Sequence, residues 1–143
     1  MKGKNKCESL GKYISELYRV QNSYLSKRFN KLNIGAGQYL FLLHLYKYRG
    51  ATQEELTEML KVDKATTTRA IKKLEDNGYV IRDKRKEDKR AYNVILTEKA
   101  LDIEPKFFEV LDEWKEKLKE ILTEEEENTL LKLLKKISIS NLI

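Results

Sequence analysis

Apolar residues recur at Leu10, Ile14, Leu17, Tyr24, Leu25 and Phe29, the spacing of one helical face, and predict a helix from about Cys7 to Lys31. "NIGAGQ" interrupts this pattern with two glycines. The run "QYLFLLHLYKYRG" that follows is apolar almost throughout, so it predicts a buried helix ending near Gly50. Thr52 and Glu55 stand at the spacing of a capping box and open a third helix, with Leu56, Met59 and Leu60 as its inward face. The tight turn "KVD" brings Asp63 to the start of a fourth helix, whose buried stripe takes Thr67, Ala70, Ile71 and Leu74. Two short helices joined by such a turn predict a helix-turn-helix.

Gly78 ends the fourth helix, and "YVIRD" and "AYNVIL", rich in Val, Ile and Tyr, predict two short β-strands. Thr97 is placed to cap a long helix carrying Leu101, Phe107, Phe108, Leu111, Trp114, Leu118 and Ile121, with a bend expected at Pro105. Thr123 and Glu126 repeat the capping box before a last helix with Leu130, Leu131, Leu133, Leu134 and Ile137, then the apolar end "ISISNLI". The expected fold class is mainly α, a winged helix-turn-helix with a two-stranded β-wing between N- and C-terminal helices. Terminal helices this apolar, in a chain of 143 residues, predict burial against another subunit.

The length fits one domain, and 41% hydrophobic residues supply its core. A net charge of +6 favours an anionic partner, and its distribution sharpens the point. Ten basic residues face two acidic ones in 1–50 and eleven face six in 61–90, whereas eight face twelve in 91–143. Cys7, the only cysteine, excludes an intrachain disulfide. With no signal-type apolar region and no run long enough to span a membrane, a cytoplasmic protein with no membrane partner is expected. Cys7 reads as an incidental thiol; Lys2, Lys4 and Lys6, able to lower its pKa, keep an oxidation sensor as the alternative. His44, the only histidine, reads as a packing residue. The sequence offers no phosphate-cradling glycine loop, no His–Cys or Ser–His–Asp set and no metal-ligand spacing, which argues against an enzyme, a metal site or a cofactor.

Charge and hydroxyls concentrate where the helix-turn-helix meets the hairpin. The stretch "ATTTRAIKKLEDNGY" sets three threonines in a helix, although each costs about a few tenths of a kcal/mol of helix propensity relative to alanine. With Thr67 turned inward, the opposite face displays Lys64, Ala65, Thr66, Thr68, Arg69, Lys72 and Lys73. Arginine forks onto guanine, and threonine offers a hydroxyl to bases or phosphate and a methyl to thymine, so this face suits the major groove of duplex DNA. The alternative is a merely solubilising helix surface. The hairpin tip "KRKEDKR" weighs against that alternative, because Lys84, Arg85, Lys86, Lys89 and Arg90 stand there against only Glu87 and Asp88. Such a tip reaches an adjacent backbone or minor groove.

The order of elements and residues resembles the MarR family of winged-helix transcription regulators over nearly the whole chain. The likeness is strongest in "TQEELTEMLKVDKATTTRAIKKLEDNGYVIRDKRKEDKRAYNVILTEKA", where the family's wing pattern of aspartate, one residue and arginine appears as Asp88, Lys89 and Arg90. The resemblance implies a single domain of residues 1–143, with a DNA-binding lobe at 34–97 and dimerisation helices at 7–31 and 98–143. It implies an effector-responsive repressor that binds a near-palindromic double-stranded DNA operator as a homodimer. The helix from Lys64 to Gly78 then enters the major groove, and Arg90, oriented by Asp88, the minor groove. A small-molecule effector is also implied, for which Tyr13, Tyr39, Tyr46 and Tyr48 are candidate crevice residues; the competing reading places these aromatics in the core. Ala100 stands where many relatives have glycine, and Thr67 where an aliphatic residue is usual, which predicts looser packing of the recognition helix. The alternatives are a redox-sensing regulator acting through Cys7 and a winged-helix protein-interaction module.

Overall fold

The computed structural model describes residues 8–84, the side chain of Lys84 excepted, and residues 92–140. The elements are α1 (Leu10–Phe29), a 3-10 turn (Asn30–Leu32), α2 (Tyr39–Lys47), α3 (Gln53–Leu60), α4 (Lys64–Asp76), β1 (Val80–Lys84), β2 (Tyr92–Leu96), α5 (Glu98–Lys119) and α6 (Glu124–Ile139). The fold is thus mainly helical with a two-stranded wing. It divides into two compact units that meet in sequence at Val110 and Leu111.

In the first unit the helix starts follow their caps. Thr52 and Glu55 form the reciprocal capping box of α3, and Asp63 accepts the Thr66 N–H at 2.6 Å to start α4. Lys61, at φ 54°, makes the left-handed corner between these helices. Gly78 adopts φ 80° directly after α4, a conformation that costs glycine nothing and turns the chain into β1. β1 and β2 pair antiparallel, Val80 opposite Leu96 and Lys84 opposite Tyr92. The root of this hairpin is anchored on the chain before α3: the Val94 N–H donates to the Ala51 carbonyl at 2.8 Å, and Asn93 Nδ2 to the Gly50 carbonyl at 2.9 Å.

Leu42, Leu45, Leu56, Ile71, Leu74, Val80 and Val94 are fully buried and form the core beneath α4 and the hairpin. Beside them lies an aromatic cluster, in which Phe29 stacks on Tyr39 at 5.5 Å and on Phe107 at 4.9 Å. Sequence expectations shift at Met59 and Thr67. On α1 only Leu25 and Phe29 are buried, while Leu10, Ile14 and Leu17 are exposed. Met59 is exposed rather than inward, because the α3 surface facing α4 is taken by Leu56 and Thr57. α5 runs from Glu98 to Lys119 with Pro105 inside it. Thr67, expected to loosen α4, is 0% exposed, and its hydroxyl lies 2.8 Å from that of Thr57, so a polar contact fills the place of an aliphatic one.

The second unit consists of the end of α5 and all of α6. Thr123 and Glu126 form the capping box that opens α6. None of its residues is buried: Leu130, Leu131, Leu133, Leu134 and Ile137 are between 43% and 63% exposed. Cys7 and the last three residues of the apolar C-terminal run lie outside the described residues.

Candidate nucleic-acid interface

α4 has the two-sided character its sequence requires. Thr67, Ala70, Ile71 and Leu74 are buried, and Lys64, Ala65, Thr68, Arg69, Lys72 and Lys73 are exposed, with Thr66 half-buried between the two faces. The three threonines do three different things. Thr66 supplies the capping N–H to Asp63, and its hydroxyl lies 3.5 Å from Arg69 Nη2. Thr67 contacts Thr57 in the interior. Thr68 donates its hydroxyl back to the Lys64 carbonyl at 2.9 Å and receives Gln53 Nε2 at 3.5 Å, so its outward methyl and remaining lone pair stay available to a ligand.

The charged side chains are not equivalent. Lys72 pairs with Asp76 one turn later at 2.9 Å, and this hydrogen bond and charge raise the pKa of its ammonium group. The carboxyl of Asp63 is held below its usual range, chiefly by the backbone N–H of Thr66. Arg82 on β1 reaches back to Glu75 on α4 with contacts of 3.2 and 3.4 Å, tying the first hairpin strand to α4. Sequence reasoning missed that pair because its members lie on different elements with no diagnostic spacing.

The C-terminal end of α4 is also fastened. Asn77 Nδ2 donates to the Asn33 carbonyl at 2.9 Å, Lys99 Nζ to the Asn77 carbonyl at 2.6 Å, and the Tyr79 hydroxyl to the Leu32 carbonyl. The Lys99 ammonium lies 4.6 Å from the Tyr79 ring centroid, and Thr97 donates to the Gly78 carbonyl at 2.6 Å. Together these contacts leave little freedom for α4 to tilt. Arg85, Lys86, Asp88, Lys89 and Arg90, with the Lys84 side chain, lie outside the described residues, and β1 and β2 carry the chain to and from that segment.

The four candidate tyrosines differ in their surroundings. Tyr39 and Tyr46 are buried, and burial raises both phenol pKa values. The Tyr46 hydroxyl donates to the Ala100 carbonyl at 2.5 Å, and Tyr39 accepts from Gln21 at 3.4 Å. Tyr13 and Tyr48 are exposed. His44 is half-buried, with Nδ1 2.9 Å from the Leu40 carbonyl of its own helix and its ring beside Tyr48. Among the described residues no cluster of His, Cys, Asp and Glu has metal-binding geometry, and no helix is long and apolar enough to cross a membrane.

A capped helix that turns a basic, hydroxyl-bearing face outward, joined by a glycine corner to an antiparallel hairpin, defines a winged helix-turn-helix. Known proteins narrow that class. The family model described as the MarR family matches residues 34–92. A MarR transcriptional regulator from Methanosarcina mazei Go1 is 41% identical, with a TM-score of 0.84 over 90% of this chain and 92% of that one. A MarR-family regulator from Listeria monocytogenes, solved in complex with a 26mer DNA, is 30% identical, with a TM-score of 0.85 over 92% of this chain and 87% of that one. The HTH-type transcriptional regulator YybA of Bacillus subtilis is 37% identical over 92 residues, 64% of this chain; the match spans 61% of that relative, less than two thirds of its length. The chain belongs to the MarR family of DNA-binding transcription regulators.

Proposed function

We propose that this chain is an effector-responsive repressor that binds a near-palindromic operator as a cytoplasmic homodimer, with α4 in the major groove and the basic segment 84–90 at the flanking minor groove. The observation that carries this reading is the two-sided α4: a buried stripe fixes its inner face, while Lys64, Ala65, Thr66, Thr68, Arg69, Lys72 and Lys73 lie outside it, with Glu75 and Asp76 confined to the last turn. In this arrangement Arg69 and Thr68 meet base edges, Lys72 and Lys73 meet phosphates, and Arg90, beside Asp88, enters the minor groove. The Listeria relative crystallised with DNA supports it. The homodimer rests on apolar surface left uncovered, on α1 at Leu10, Ile14 and Leu17 and on α6 at its leucines, which a second copy covers. It sets the two α4 helices about one DNA turn apart, roughly 34–36 Å.

A small molecule, rather than oxidation of Cys7, is the proposed signal, because the chain pairs a single cysteine with aromatic-rich helices. Selection of bound fragments from the source genome tests the whole reading. Recovery of one motif with two inverted half-sites is the expected result, and recovery of fragments without a shared motif would overturn it. Comparing peroxide release of the wild type and Cys7→Ser from the recovered fragment then tests the signal: release of the wild type alone would assign sensing to the thiol.

A further inference from the structure

We propose that the hydroxyls of half-buried Thr57 and buried Thr67 form a latch that sets the rotation of α4 about its own axis, and thereby which side chains α4 presents to bases. The inference rests on the reading of α4 as the helix that reads DNA. The two hydroxyl oxygens are 2.8 Å apart, Thr57 Oγ1 is 2.7 Å from the Gln53 carbonyl, and Thr67 Oγ1 is 3.4 Å from the Asp63 carbonyl. Each hydroxyl has one proton, so the arrangement that uses both short contacts has Thr67 donating to Thr57 and Thr57 donating to Gln53. A relay then runs from the inner face of α4 to the first turn of α3. Separately, the Gln53 side chain contacts the outer face of α4, with Nε2 3.5 Å from Thr68 Oγ1.

The chemistry of this contact differs from that of the core around it. Apolar burial is non-directional, so the contacts of Ala70, Ile71 and Leu74 resist a roll of α4 only weakly; the directional bonds at Asn77 hold its C-terminal end, and the Thr57–Thr67 contact acts on its N-terminal half. A hydrogen bond at 2.8 Å weakens steeply once its angle departs from linear, so it resists that roll. The tolerance at DNA is small: turning α4 by about 20° on a side-chain radius of about 6 Å moves an outward tip by about 2 Å, which separates a forked arginine from its base. Thr67 sits between Thr66 and Thr68 and one turn from Ala70 and Ile71, so holding its hydroxyl fixes the outward neighbours directly. Thr57 and Thr67 are therefore positioning residues, not DNA contacts.

Two paired substitutions in the full-length chain separate positioning from packing. Thr57→Val with Thr67→Val keeps volume, removes both hydroxyls together and orphans neither, so melting stays near wild type. Thr57→Ser with Thr67→Ser keeps both hydroxyls and deletes two methyls, so melting falls. Binding is measured to the duplex recovered by selection and to a shuffled duplex of equal composition, with Arg69→Ala alongside. The valine pair is expected to lose about tenfold of its preference for the selected duplex, with shuffled-duplex binding and salt slope unchanged. The serine pair is expected to keep the wild-type preference despite its lower melting temperature. Retained preference in the valine pair, or equal loss in both pairs, would overturn the latch. If Arg69→Ala loses preference while the valine pair keeps it, the latch alone fails; a wild type without preference takes down the reading of α4 as well. Should the valine pair not fold, Thr67→Val alone, which leaves Thr57 bonded to Gln53, is expected to show the same fall, and its absence overturns the proposal.

Discussion

Two neighbouring lysines on α4 show why a basic residue is not simply a unit of DNA affinity. Lys72 lies 2.9 Å from Asp76, whereas Lys73 makes no ion pair among the described residues. To reach a phosphate, Lys72 must exchange a carboxylate for it, and the Asp76 left behind gathers a cation from solution. Net ion release is smaller for that contact than for one made by an unpaired lysine. Lys73→Ala is therefore expected to lower the log–log salt slope of binding by about one, and Lys72→Ala by less, with both variants weakened alike on every sequence. Equal slope changes in a salt titration would show that the Asp76 pair has no influence. Asp63 carries a pH-dependent contribution of known sign. Its carboxyl is held below the usual range in the folded chain by the Thr66 N–H, so its stabilisation is present above the unfolded value, about 3.9, and is lost as pH falls through the folded value. The melting difference between the wild type and Asp63→Ala is expected to be constant at neutral pH and to shrink in acid. A difference that grows in acid would contradict the cap.

At the scale of elements, what was legible in the sequence was what is local in the chain. The boxes at Thr52 with Glu55 and at Thr123 with Glu126, the Asp63 cap and the Gly78 stop all depend on residues within one turn of each other. Spacing alone reveals them. The buried stripe of α4 was legible for the same reason. Contacts between elements were not: Thr57 with Thr67, Glu75 with Arg82 and Lys99 with Asn77 join residues whose proximity exists only once the helices have packed. Met59 was misassigned because helical spacing alone does not distinguish which of two adjacent positions faces the neighbouring helix. The element boundary at Gly78 has a direct test. A side chain there meets only the Lys99 stem, at 3.6 Å, but must adopt φ 80°. Gly78→Ala is expected to cost about 1–2 kcal/mol in denaturant unfolding, from backbone strain rather than collision. An unchanged midpoint would mean that the corner relaxes freely.

For the molecule as a whole, the exposed leucines of α6 and the exposed apolar residues of α1 set the expectation of a dimer. Sedimentation at micromolar concentration is expected to give twice the 16.9 kDa chain mass; a monomer would remove the two-half-site arrangement. The exposed basic face of α4 was legible in the charge pattern, but the operator and effector are properties of partners, and no residue pattern encodes them alone. The central claim is that α4 reads base sequence. Its most direct test is the affinity of the wild type and Arg69→Ala for the selected duplex and for its shuffled counterpart at one salt concentration. Arg69→Ala is expected to lose about 1–3 kcal/mol on the selected duplex and little on the shuffled one. Equal losses on both duplexes, or none on either, would contradict the account.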